Sequence, residues 1–356
     1  MKKANLIKLI LVVSLLAGLV WSAYSVTLVK AIKSTPAGIG AYDIEDMQMC
    51  ADGKTAIMVA VARNDDARVY WYDLANDKVA GYCRVGILYG PRGDRGIGIN
   101  PQCTYAYLAN YPIDSVSTID LAASPRDGKY CVMTETAVAP KPNGDIGLNY
   151  PEWHNVMVAS SFSDVITILN TQGKVIDEIE MGFGPDGVLA LGKQWAAVPN
   201  RYDDTLYVID LPRLEVYTTV TGLSRVPDTA CLDPAGQYVY GINFVDNSVD
   251  VIKTGSWNVV KRIPVGQSPR YCAMGPDGKF LYVSNTTDKT VSVIDTATKR
   301  VVETIVAAGP TEPAAIKWLA VTNDNRYLYV YYPGGRSGTY ADFTILKFDV
   351  GQLYGG

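Results

Sequence analysis

The sequence predicts an all-β, seven-bladed β-propeller, and three observations carry that prediction. First, a proline recurs at Pro36, Pro91, Pro142, Pro185, Pro227, Pro269 and Pro313, at intervals of 55, 51, 43, 42, 42 and 44 residues by subtraction. A period in the forties is that of one propeller blade. Second, the stretches between prolines alternate as short strands and are punctuated by Gly, Asp, Asn and Pro turns, with hardly a helical period among them. Third, 32 Gly, 19 Pro and 48% hydrophobic residues in 356 describe a turn-rich globular chain. A ring of repeats lets such a chain bury each blade against its neighbours, so the core grows with blade number.

Residues 1–22 stand apart from the ring. Lys2 and Lys3 precede an apolar run from Leu6 to Val20, broken only by Lys8 and Ser14. The run has the length of a signal-peptide core and is short for a membrane span. Val20-Trp21-Ser22 before Ala23 offers a cleavage site. Whether the segment is cleaved or kept as an N-terminal membrane anchor, the propeller of residues 23–356 is expected outside the cytoplasm, secreted or at the cell surface.

The blade elements follow in order. Ser25 to Ala31 reads as a lone outer strand ahead of the first proline. Ala56–Val61 with Arg68–Asp73 mark the first blade, and Tyr105–Asn110 with Val116–Asp120 the second, which has longer connections around Leu88–Asp94 and Thr134–Asn143. Val165–Leu169 with Val175–Ile179, and Thr205–Asp210 with Glu215–Val220, give the outer halves of the third and fourth. Tyr238–Asn243 and Ser248–Ile252 follow an Asp233-Pro234-Ala235-Gly236 turn in the fifth. The sixth shows all four strands: Tyr271–Met274, Phe280–Asn285, Thr290–Asp295 and Arg300–Val306. The seventh has Ala315–Val321, Arg326–Tyr331 and Asp342–Phe348 but almost no fourth strand. Residues 25–31, which resemble Val302–Val306, are therefore expected to complete the last blade and seal its open edge.

Six cysteines suit an oxidising compartment. Cys231 and Cys272 fall in the first strands of consecutive units, and Cys83 and Cys131 in the last strands of consecutive units, so two inter-blade disulfides are candidates. Buried thiols are the other reading. The 24 Tyr against 6 Phe suit half-buried strands whose polar tips reach solvent or ligand. A net charge of −4 argues against generic nucleic-acid binding.

Concentrated chemistry is scarce. His154 is the one histidine, too few for a histidine-rich metal site; a serine triad would need it in a defined partnership, and a turn histidine with one hydrogen bond is the plainer reading. No Cys-x-x-Cys-His occurs, and no glycine-rich phosphate loop opens a helix. Asp65-Asp66, Asp203-Asp204 and Asp246-Asn247 sit between second and third strands, where Asp and Asn are ordinary turn residues, with Ca²⁺ binding as the alternative. Asp43 and Glu45 alternate on the first inner strand; aimed into the channel, they are weak candidates for holding a divalent cation, and no other cofactor is expected. The stronger candidate set follows from the prolines. The connection entering each inner strand crosses the top of the ring, so the residue after each proline is delivered to the channel mouth. Those residues are Ala37, Arg92, Asn143, Asp186, Asp228, Arg270 and Ala314. Arg92, Asn143, Asp186, Asp228 and Arg270, with Tyr271, form a mixed-charge ring suited to a small polar molecule, a saccharide or a peptide terminus. Mutual Arg–Asp pairing that only seals the mouth is the plainer reading.

Tyr282-Val283-Ser284-Asn285, Thr290 to Thr296 and Val301 to Ile305 resemble the YVTN-type β-propeller repeat of archaeal surface-layer-associated and bacterial exported YncE-like proteins. The resemblance is strongest in the fifth and sixth units and implies the fold and an extracytoplasmic setting. It implies little chemistry, because propellers host many functions. The expected function is a non-catalytic scaffold or binding module at the cell envelope, with surface proteins or glycans as partners. The alternatives are a cation-dependent lactonase-like hydrolase or a propeller subunit of a quinone or haem dehydrogenase. Nucleic-acid binding, as in some YncE-like proteins, is disfavoured by the charge.

Overall fold

The computed structural model describes residues 26–33, 43–61, 66–87, 97–100, 102–110, 113–140, 146–149, 155–160, 162–191, 194–307, 316, 318–332 and 344–354. Within them, strands assemble into seven sheets, one per blade. β1 (Thr27–Lys33) precedes the first blade, which contains β2 (Asp43–Met49), β3 (Thr55–Val61), β4 (Asp66–Asp73) and β5 (Lys78–Ile87). The second contains β6 (Ile97–Ile99), β7 (Tyr105–Asn110) and β8 (Ser115–Asp120), then β9 (Asp127–Tyr130) and β10 (Val132–Ala137). The third is β11 (Ile146–Asn149), β12 (Asn155–Ser160), β13 (Val165–Asn170) and β14 (Val175–Glu180). The fourth is β15 (Leu189–Leu191), β16 (Trp195–Asn200), β17 (Thr205–Asp210) and β18 (Glu215–Val220). The fifth is β19 (Pro227–Leu232), β20 (Tyr238–Asn243), β21 (Ser248–Lys253) and β22 (Asn258–Pro264). The sixth is β23 (Pro269–Met274), β24 (Phe280–Asn285), β25 (Thr290–Asp295) and β26 (Arg300–Val306). The seventh contains β27 (Trp318–Val321), β28 (Tyr327–Tyr332) and β29 (Thr344–Asp349). Each innermost strand neighbours the next, from β2 through β6, β11, β15, β19, β23 and β27 back to β2.

The ring closes as the sequence predicts. β1 pairs antiparallel with β29, from Thr27↔Asp349 to Lys33↔Thr344, giving the last blade the order β1-β29-β28-β27. The sealing strand runs over 27–33 rather than 25–31. A second difference concerns blade two. Thr134 to Ala137 belong to its outer strand β10, not to a long connection. The extra chain length lies just upstream, where β9 crosses over and pairs parallel with β5 as a fifth strand of blade one.

Seven apolar clusters hold the ring, one in each gap between blades. Strand β24 shows how the sequence serves two gaps at once. Phe280 and Tyr282 face blade seven, while Leu281 and Val283 face blade five. With both faces of the middle strands buried, period-two alternation sorts side chains between two cores rather than between core and water. Tyrosine fills these gaps more deeply than half-burial: Tyr70, Tyr72, Tyr107, Tyr240, Tyr282, Tyr329 and Tyr331 are fully buried.

Three disulfides staple the gaps. Cys83–Cys131 and Cys231–Cys272 form as the spacing suggests, and Cys50–Cys103 joins blades one and two a second time. No free cysteine remains among the described residues. This pairing fits an oxidising, extracytoplasmic environment. No helix among the described residues is long and apolar enough to cross a membrane, and residues 1–22 lie outside them.

Candidate ligand face at the channel mouth

The mouth of the channel is built by a recurrent backbone device. The three recurrent prolines among the described residues pair with the last residue of the neighbouring strand: Pro185 with Asn200, Pro227 with Asn243 and Pro269 with Asn285. Proline suits this first position, having no N–H to lose from the ladder. The asparagines are buried and donate their side-chain N–H to hydroxyls on the adjacent strand, Thr205, Ser248, and both Thr290 and Ser292 respectively. After the proline the ladder slips. Pairing passes over Asp228 in β19 and over Arg270 and Tyr271 in β23, and it passes over Glu45 in β2. A bulge leaves a residue out of the ladder and re-aims its side chain. The Ser284 hydroxyl recovers the released backbone of Tyr271, accepting from its N–H at 3.0 Å.

The top of the ring is fixed by turns between second and third strands. Asp164, Asp204 and Asn247 occupy equivalent left-handed positions, with φ of 55°, 54° and 53°, a conformation Asp and Asn tolerate. Their side-chain oxygens accept backbone N–H bonds from Gly184, Val226 and Ser268 in the connections to the next blades. Asp246 accepts from the Arg225 N–H at 2.8 Å and pairs with its guanidinium, and these bonds hold its carboxyl below the usual range. Asp203 accepts from the Thr205 hydroxyl. The aspartates weighed for Ca²⁺ in these two blades thus serve the turns. No cluster of three or more metal-ligating side chains occurs among the described residues.

Two of the bulged residues, Asp228 and Arg270, join Asp186 and Arg201 in a charged string spanning blades four to six. Arg201 Nη1 lies 3.4 Å from Asp186 Oδ2 and 3.3 Å from Asp228 Oδ1. Asp228 Oδ2 accepts from Arg270 Nε at 2.9 Å, and the Arg270 guanidinium stands 5.7 Å from the Tyr271 ring centre. Side-chain exposure is 5% for Asp228, 27% for Arg201 and 29% for Arg270. Two carboxylates and two guanidiniums leave the string neutral, with its acids inside and its bases reaching solvent.

The structure therefore brings together Asp186, Asp228, Arg270 and Tyr271 and adds Arg201. Arg201 escapes a reading based on the residue after each proline, because it opens the turn following β16. Its signal is a departure from the repeat: Phe244 and Thr286 stand where blade four has an arginine. Arg92, Asn143 and His154 lie outside the described residues, as do Asp65 and the side chains of Asp43, Glu45 and Asp66.

Residues 220–332, covering blades five and six and entering blade seven, match the family model described as YNCE-like beta-propeller. Among solved structures, the chain is similar to one titled Kuenenia stuttgartiensis Hydrazine Synthase, with 19% identity, a TM-score of 0.64, and coverage of 84% of this chain and 94% of that one. Likeness at that identity is likeness of fold. No curated protein matches the chain.

Proposed function

We propose that this chain, a seven-bladed propeller of the YncE-like kind, is an exported, non-catalytic binding module of the cell envelope that meets its partner through the mouth-side face. One observation carries the reading. Large exposed hydrophobic side chains among the described residues occur in two places only: the mouth-side turns and connections, with Ile113, Phe162, Phe183, Tyr202 and Val245, and the outermost strands β1, β9, β10, β14, β18, β22 and β26. The turns of the opposite face carry none of them. Apolar groups retained beside a charged and polar rim are the composition of an interaction surface. The three disulfides support export, and the apolar run before the ring supports an envelope address.

Site-specific photo-crosslinking in native cells tests this. A photoreactive residue at position 202 or 245 is expected to capture envelope glycans or proteins, whereas one at Ala235 on the opposite face captures far less. Equal capture from both faces would remove the proposal. A second reading, an enzyme subunit, draws on the likeness to the hydrazine synthase chain and on Asp43 and Glu45 as cation-holding candidates. Stoichiometric haem or divalent metal in protein purified from its native source, together with co-purifying subunits, would replace the binding-module reading.

A further inference from the structure

The mouth-side face carries an exposed aromatic pair. Phe183 and Tyr202 are 59% and 52% exposed, with ring centres 5.1 Å apart at 45°. The Cδ2 edge of the Tyr202 ring packs against Gly184, where an added Cβ would collide with it. Gly184 is held from both sides: its N–H donates to Asp164, and its carbonyl accepts from the Arg201 N–H at 2.9 Å. Asp186 N–H donates to the Pro199 carbonyl, fixing the next residues of the same connection. The rings are thus set before any ligand arrives, which spares the ordering cost that weakens mobile surfaces.

Arg201 and Asp186 belong to this same stapled segment, so the ring pair adjoins the charged string. Its two carboxylates and two guanidiniums cancel, while Asp164, Asp203 and Asp204 alongside are engaged with turn N–H and hydroxyl groups, so the charge disfavours an anion and the string offers donors and acceptors to a ligand rich in hydroxyls. A peptide adding as an extended strand would need a free backbone edge. Here the N–H groups of Gly184, Val226 and Ser268 are already taken by Asp164, Asp204 and Asn247. A nucleic acid would need net positive charge.

We infer that Phe183 and Tyr202, with Arg201 and Asp186, form a site for a neutral glycan of the envelope. The apolar C–H face of a sugar ring would stack on the aromatic pair, while its hydroxyls exchange hydrogen bonds with the neighbouring guanidinium and carboxylate. The inference rests on the mouth-side binding reading and names its ligand class.

Calorimetry of the exported, disulfide-bonded protein with cellohexaose, mannohexaose and chitohexaose tests it, with a polygalacturonate hexasaccharide as the acidic comparison. At least one neutral sugar is expected to bind with an affinity that salt leaves unchanged. Phe183→Ala and Tyr202→Ala are each expected to weaken that binding by about tenfold, Tyr202→Phe to retain it, and Tyr217→Ala on β18 to leave it unaltered. Thermal unfolding confirms that each variant is folded. No neutral binding at millimolar sugar, binding that survives both ring truncations, or preference for the acidic sugar would overturn the inference. A disordered peptide binding there instead would overturn it too. Cross-links at position 202 without sugar binding sink only the glycan site, whereas loss of both sinks the binding face as well.

Discussion

Asp228 shows how much rests on one bulged residue. It is nearly buried and joins Arg201 of blade four to Arg270 of blade six, so removing it takes a carboxylate from two partly desolvated cations, of which Arg201 keeps Asp186. Asp228→Ala is expected to cost about 1–3 kcal/mol, measured by urea unfolding, whereas a solvent-screened surface pair would cost almost nothing. Gly184→Ala meets two obstacles, a φ of 76° and the Tyr202 ring. It should lose about 1–2 kcal/mol and loosen the aromatic pair. Buried tyrosines give a pH signature. Burial first raises the hydroxyls of Tyr240, Tyr282 and Tyr329, with Asp233, Tyr354 and Asp77 respectively adding next, and burial pushes Tyr354 up to about 12. The fold therefore favours their neutral form. Their contribution to stability is complete below about pH 10 and is lost as pH rises through the folded values. In an alkaline titration followed by tyrosinate absorbance, these rings should ionise late and together with unfolding. Ionisation of every tyrosine near its ordinary value, with the fold intact, would contradict this.

Among the elements, β1 carries the closure of the ring. Its sequence was legible as an outer strand, and the observed span is displaced by two residues. A two-residue displacement preserves side-chain alternation, so the faces survive an error in the bounds. What alternation could not show is the lock beneath it. Asp77, in a turn of blade one, pairs with Lys30 of β1 and Lys347 of β29, each at 3.1 Å, and accepts from the Tyr329 hydroxyl. These partners are 47 to 270 residues away in sequence, beyond any local pattern. Asp77→Ala leaves the buried Lys347 without its carboxylate and should cost about 2–4 kcal/mol. Adding Lys347→Met should recover part of that loss, which a purely local turn defect would not allow. The strand β9 was missed for a related reason. Four residues, Asp127–Tyr130, borrowed by the neighbouring sheet have no repeat to betray them.

At the scale of the molecule, periodicity revealed nearly everything that packing requires. The proline ruler counted the blades, and the positions of Cys83, Cys131, Cys231 and Cys272 pointed to two of the three staples. Cys50–Cys103 was not foreseen, because one cysteine follows a first strand and the other sits in the turn before a second. Each staple closes a loop of 41 to 53 residues. Replacing any one pair by alanines should lower stability by about 2–4 kcal/mol. The difference between the two faces of the ring was much less legible. It depends on which turns keep exposed rings and which side chains meet across blades, and neither property repeats.

Hydrogen exchange read by mass spectrometry, with and without an envelope preparation from the native source, tests the central claim most directly. The account predicts slowed exchange confined to the mouth-side segments around residues 182–188, 201–204, 225–229 and 268–271, with the opposite turns unchanged. Protection centred on the opposite turns or the outer strands, or no protection by any envelope component, would contradict it.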